Sequence, residues 1–206
     1  MYLGNCAESM KVWALLIANR WRKVQDAGPM CRCESRLSLF CGLLVALIFV
    51  TSSIAVADTP TMKALFRQSP PTLDGKVDDA FWQGIQGSDA FVERKPRLRK
   101  KPNVRTVVKM GYTRAHLYVA VMCFDDKPVV GLNSVRDSFA IFRDDAVSLK
   151  IDPALDGRTT LGFVTNPLGA MLDYRGINES EFRGEFDTLW TVQSHVSDDG
   201  WSAEFR

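Results

Sequence analysis

Residues 142–174 read FRDDAVSLKIDPALDGRTTLGFVTNPLGAMLDY, and no other stretch restricts the fold of this chain as much. Val147, Leu149 and Ile151 alternate with Ser148, Lys150 and Asp152, the period of a strand with one face buried. Asp152-Pro153 and Asp156-Gly157 follow, and both are turn dipeptides. Residues 161–165 are a second apolar run, closed by Asn166-Pro167-Leu168-Gly169, and residues 170–174 are a third. The pattern is three strands joined by polar turns, and connections this short suit antiparallel neighbours. Acidic residues gather at the strand ends, at Asp144, Asp145, Asp152, Asp156 and Asp173. A binding edge is expected near them or against the sheet they border.

The same grammar runs through the rest of the body. Residues 105–113 alternate, with Val108, Met110 and Tyr112 on one face. Residues 115–125 (AHLYVAVMCFD) are apolar on both faces, as in a central strand covered on both sides. The connection Thr113-Arg114-Ala115-His116 predicts a hairpin between the two. Residues 190–196 form a further strand, Asp198-Asp199-Gly200 a hairpin turn, and Trp201, Ala203 and Phe205 alternate with Ser202, Glu204 and Arg206. Upstream, residues 62–68 predict a first strand, broken by Ser69-Pro70-Pro71. Asp78 is placed to cap a single helical turn that carries Phe81 and Trp82 inward. Long helical periods are missing, so the fold class is all-β: a sandwich or jelly roll of antiparallel strands. The sequence ends inside its last strand, at Arg206, which reads as the N-terminal piece of a longer polypeptide.

Residues 30–57 carry an address. Arg32 and Arg36 precede an unbroken apolar run over residues 39–50, and Ala55-Val56-Ala57 precedes Asp58. A basic start, an apolar core and small residues at a cleavage site describe a secretory signal peptide, cut between Ala57 and Asp58. An uncleaved anchor is the alternative, because residues 37–57 hold no charge; the strict apolar run is short against the roughly 20 residues of a span. Residues 1–29 are a long prefix for such a signal, and Met30 starts a well-proportioned one. The prefix reads as a mis-called extension, or else as a real one with an amphipathic segment over residues 10–24. Residues 58–68 are then a lead-in and 69–206 the domain. The protein is expected to be exported, to the periplasm, the outer membrane or beyond.

Cleavage changes two inventories. Of five cysteines only Cys123 lies in the body, so no internal disulfide forms there and Cys123 reads as a small core residue. Residues 58–206 hold 20 Lys/Arg against 21 Asp/Glu, a near balance that argues against a nucleic-acid partner. The basic segment at residues 91–103 (FVERKPRLRKKPN) reads as a solvated loop, or as a patch facing anionic glycan or lipopolysaccharide.

Five pieces resemble a known family when taken together. Residues 73–82 (LDGKVDDAFW) look like the DGxxDExxW opening of the family 9 carbohydrate-binding modules, and residues 116–121 (HLYVAV) like its NLYVAV strand. Residues 144–153 (DDAVSLKIDP) resemble its DDSVEIFIDP strand, and residues 163–169 and 198–204 its closing pieces. Order and spacing agree from about Ser69 to Arg206. The GFxxNPxG piece is most similar to a branch in which such a domain follows a signal peptide and precedes a C-terminal outer-membrane β-barrel. The resemblance implies a β-sandwich that binds polysaccharide or oligosaccharide, often with calcium, and relatives appended to glycoside hydrolases. It also implies a barrel partner beyond this chain.

Sugar binding needs an aromatic platform, with carboxylates and amides for the hydroxyls. Trp82 and Trp201 follow apolar patterns and read as core. Trp190 follows the polar run 185–189 at the start of a strand and is the preferred platform, with Tyr174, Asp187 and Asn166 as further contacts. Calcium would draw on Asp144, Asp145, Asp125 and Asp126; solvated turn carboxylates are the alternative. No GxSxG, HExxH or phosphate-loop motif occurs, and the two histidines, His116 and His195, have no nucleophile signature beside them. The expected function is carbohydrate binding by a non-catalytic exported module, with a sugar-free structural domain of a barrel protein as the alternative.

Overall fold

The computed structural model describes residues 61–93, 100–177 and 185–206, with Glu181–Arg183 as a strand and Val12–Ile17 as a strand by its backbone. The signal peptide expected at residues 30–57 and most of the basic loop lie outside the described residues.

Two five-stranded sheets build the fold. In chain order the strands are β1 (Val12–Ile17), β2 (Leu65–Phe66), β3 (Arg105–Tyr112), β4 (Leu117–Phe124), β5 (Ala146–Ile151), β6 (Thr159–Thr165), β7 (Met171–Ile177), β8 (Glu181–Arg183), β9 (Val192–Ser197) and β10 (Gly200–Phe205). One sheet runs β1-β5-β6-β7-β8 and the other β2-β3-β4-β10-β9. Every pairing is antiparallel except that of β2 with β3. This is the expected antiparallel β-sandwich. The run 142–174 supplies β5, β6 and β7 as consecutive neighbours, with Leu149 opposite Phe163 and Phe163 opposite Asp173.

The core lies between the sheets. Val108, Met110, Val119, Val121, Trp201, Ala203 and Phe205 from one sheet meet Val147 and Leu149 from the other. Each sheet is also covered on its far face. A 3-10 turn over Ala80–Trp82 packs Phe81 and Trp82 against Tyr118 and Ala120. A second, over Phe139–Arg143, packs Ile141 against Val164, Leu172 and Tyr174. That explains why β4 is apolar in both phases: it lies between β3 and β10 and both its faces are buried.

Three expectations need adjustment. The first strand is only Leu65–Phe66, a parallel pair with Gly111 and Tyr112, because the prolines that follow cannot donate to a ladder. The helical turn is preceded by Asp79, not Asp78, and has no side-chain cap. The Asp79 carboxylate instead accepts from Thr72 N at 2.6 Å, closing the loop before the turn. Strand β9 begins at Val192, so Trp190 belongs to its lead-in. The turn over Phe139–Arg143 had no clear signal in the sequence; Ser138 initiates it by accepting from Ala140 N at 3.3 Å.

Candidate functional site

Residues 185–191 lead into β9 across the inner face of β6 and β7. Trp190 lies there, its ring stacked on Phe205 at 6.0 Å and 9°, with the Phe163 ring edge-on at 5.3 Å. Its indole N–H is enclosed and has no acceptor among the described residues. Asp173 is the β7 partner of Phe163 and faces the same way, so the aromatic pair and a carboxylate share one end of the sandwich.

Arg136 ties that end together. Its Nη2 donates to Asp173 at 3.3 Å and to Asp187 at 3.0 Å, and its Nε donates to Asp137 at 3.2 Å. Asp173 also accepts from Thr188 N at 2.9 Å, which pins the lead-in to β7. Exposure rises outward along this network. The Asp173 side chain is 0% exposed, Arg136 44% and Asp187 81%. One guanidinium faces three carboxylates, so the cluster is acidic overall. A planar fork held on its inner side by a buried carboxylate is preorganised. Chemically, such an end can exchange hydrogen bonds with hydroxyls through Asp187 and Arg136.

Among the expected contact residues, the structure brings Trp190 and Asp187 to this end. Tyr174 is placed on the opposite face of its sheet, 2% exposed, with its hydroxyl 3.5 Å from Ser148 Oγ. Burial pushes the Tyr174 phenol up, against the pull of the Ser148 hydrogen bond. Asn166 is enclosed at the β6–β7 turn. Its amide N donates to Asp144 at 2.7 Å and to Asn133 O at 2.6 Å, and its Oδ1 accepts from Leu168 N and Ala170 N. The asparagine therefore shapes the Asn-Pro-Leu-Gly turn from within.

The four aspartates expected to hold calcium do not gather. Asp144 is buried and its Oδ2 accepts from Asn133 N and from Asn166. Asp145 accepts from Val130 N at 2.7 Å and Asp125 from Lys127 N at 3.0 Å. Asp125 and Asp126 border an open hollow of about 510 Å³ with Asp198 and Asp199. Among the described residues no three His, Cys, Asp or Glu side chains converge to hold an ion. Calcium needs about six to eight oxygens, whereas Asp144, Asp145 and Asp125 each give a carboxylate oxygen to a backbone N–H, so these four aspartates do not form one such set.

Sequence reasoning missed a buried carboxylate that accepts three hydrogen bonds. Glu204 is 0% exposed and accepts from Trp82 Nε1 at 2.6 Å, Gly75 N at 2.9 Å and Asp74 N at 3.1 Å. Ser202 Oγ donates to Gly75 O at 2.6 Å beside it. The Asp-Gly…Trp segment is thus a plug clamped onto β10, and Trp82 is core, as its apolar spacing suggested. Glu204 occupies the polar phase of its strand, which by itself signals a solvent face. Arg136 carried no signal at all.

No protein-family model and no curated protein matches the chain. The solved structures similar to it include two of a family 9 carbohydrate-binding module from Caldicellulosiruptor kristjanssonii. One, in complex with glucose, has a TM-score of 0.49 at 16% identity, over 69% of this chain and 67% of its own. The other, in complex with cellotriose, has a TM-score of 0.47 at 17% identity, over 69% and 66%. The match spans about two thirds of those modules.

Proposed function

We propose that this chain is an exported, non-catalytic β-sandwich that binds carbohydrate at the Arg136–Trp190 end. The observation that carries the reading is the fork of Arg136, held by buried Asp173 and reaching exposed Asp187, on the segment that leads to Trp190. Sugars are recognised by such a pairing of an aromatic surface with charged hydrogen-bonding groups. The five-piece resemblance to family 9 modules points the same way. In this reading residues 30–57 are removed during export, and the domain serves a larger envelope protein in glycan use.

The experiment is affinity electrophoresis of the protein through gels containing neutral and acidic polysaccharides, with and without EDTA. Retention on at least one neutral glycan, unchanged by EDTA, is expected. Passage through every gel without retardation sinks the reading. A specific observation favours a second one, a structural or interaction domain of a barrel protein. One face of the Trp190 ring is already taken by Phe205, which leaves less aromatic surface for a sugar. Failure on all glycans supports that alternative.

A further inference from the structure

Directly opposite residues of an antiparallel pair project from the same face, with Cβ atoms about 4.5–5.5 Å apart, and like charges so placed repel. Strands β7 and β8 set Arg175 opposite Arg183. Both are exposed. On its other side Arg175 stands opposite Leu161 of β6, so this row of the sheet holds two cations beside an apolar residue.

The carboxylates nearby are engaged with a different cation. Asp173 lies two residues before Arg175, on the same face of β7, and its side chain accepts from Arg136 and from Thr188 N. Asp187 also accepts from Arg136. Among the described residues no ion pair includes Arg175 or Arg183. A lone exposed arginine is ordinary solvation. Two that face each other without a counter-ion are unfavourable in the free domain, and an oxyanion seated between them removes the repulsion. Guanidinium groups present planar donor forks that match carboxylates and similarly shaped oxyanions.

We infer that Arg175 and Arg183 form an anion subsite beside the Arg136–Trp190 end, so that the glycan held there is acidic, with a carboxylate or sulfate group seated between the two guanidinium groups. This deepens the carbohydrate reading and rests on it. The placement follows from the strand. At about 3.4 Å per residue, Arg175 begins about 7 Å along β7 from Asp173, which puts the pair beside a sugar at that end rather than under it. The Arg136 cluster is itself acidic overall, with three carboxylates on one guanidinium, and suits hydroxyls. The anionic group of the ligand therefore belongs at the two arginines.

The test is affinity electrophoresis of the full chain through gels containing hydroxyethyl cellulose, carboxymethyl cellulose or cellulose sulfate, which share one backbone, with polyacrylate as a sugar-free polyanion. The apparent dissociation constant is expected to be at least about fivefold lower on a charged derivative than on the neutral one, as two exposed ion pairs allow. Comparison of the two charged gels tells carboxylate from sulfate. The difference should shrink as salt is raised, because exposed charges are screened. Arg175→Gln and Arg183→Gln should each bring the ratio below about twofold. Arg114→Gln, which removes an exposed arginine of the β3–β4 hairpin, should leave it unchanged. Relief of the like-charge pair should also leave the urea midpoint of either subsite variant no lower than that of the wild type; a lower midpoint reveals a structural partner and overturns the inference. Equal retention on charged and neutral glycans overturns it and leaves the carbohydrate reading standing. Retention on polyacrylate as strong as on the charged glycans reduces the effect to bare charge and overturns it as well. Passage through every polysaccharide gel without retardation sinks both.

Discussion

The indole N–H of Trp82 donates to the Glu204 carboxylate at 2.6 Å across 122 residues of sequence. The same carboxylate receives the backbone N–H groups of Asp74 and Gly75. One buried acid therefore fastens the whole opening segment of the domain to β10. Burial pushes the Glu204 carboxyl up, and the three hydrogen bonds pull it down without cancelling that effect.

A pH dependence follows from that direction. A carboxyl raised in the folded state adds stability below its unfolded pKa, and the contribution is lost as pH rises through the folded value. Wild-type stability should therefore fall over that interval. Glu204→Gln cannot titrate and should lack this component. Its amide also presents N–H groups to backbone donors, so the variant should be less stable by about 1–3 kcal/mol. Urea denaturation of both proteins between about pH 4 and pH 8 checks the two effects.

Gly162 is required by Tyr174. A Cβ at residue 162 would fall within the Tyr174 ring, which lies flat across that glycine. Gly162→Ala should cost about 1–3 kcal/mol through overpacking. In a Tyr174→Ala background the same change should cost much less. A double-mutant cycle by chemical denaturation reads the coupling; strict additivity would show that the ring moves aside freely.

Cys123 should be inert while the domain is folded. Burial pushes its thiol up to about 12, with the Thr106 hydrogen bond opposing. Since the thiolate is the nucleophile, modification by a thiol-specific reagent at neutral pH should be slow. It should become fast on unfolding in guanidinium, which mass spectrometry of the intact protein detects.

At the Arg136 end, stability and binding are separable. Asp187 is mostly exposed, and Asp187→Ala should change stability by no more than about 0.5 kcal/mol. On the carbohydrate reading it should still weaken retention on glycan gels. Arg136→Ala strips the buried Asp173 of its cation and should destabilise by about 1–3 kcal/mol. Unaltered retention with Asp187→Ala would remove that carboxylate from the binding site.

The strand pattern of this protein is legible in its residues alone, because period and turn chemistry are local properties. Residues 147–151, 161–165 and 170–174 form β5, β6 and β7 with only small shifts at their ends. The burial of Trp82 and Trp201 is also legible, since apolar spacing marks an inward face. The site is much less so. Tyr174 and Asn166 look available because Tyr and Asn are often exposed, yet a covering turn and an inward amide network enclose them. Conversely, Asp173 lies under the lead-in to β9, where its partners come from residues 15 and 37 positions away.

Side-chain period and the backbone demands of Asp-Gly and Asn-Pro turns were enough to specify an all-β chain, its hairpins and its apolar strand faces. Which polar phases are buried was settled by tertiary packing alone. Glu204 and Ser202 share the alternation of a solvent-facing row, and the Asp74–Trp82 segment covers them. Alternation tells which residues share a face, but burial depends on what is laid over it, and that covering comes from more than a hundred residues away.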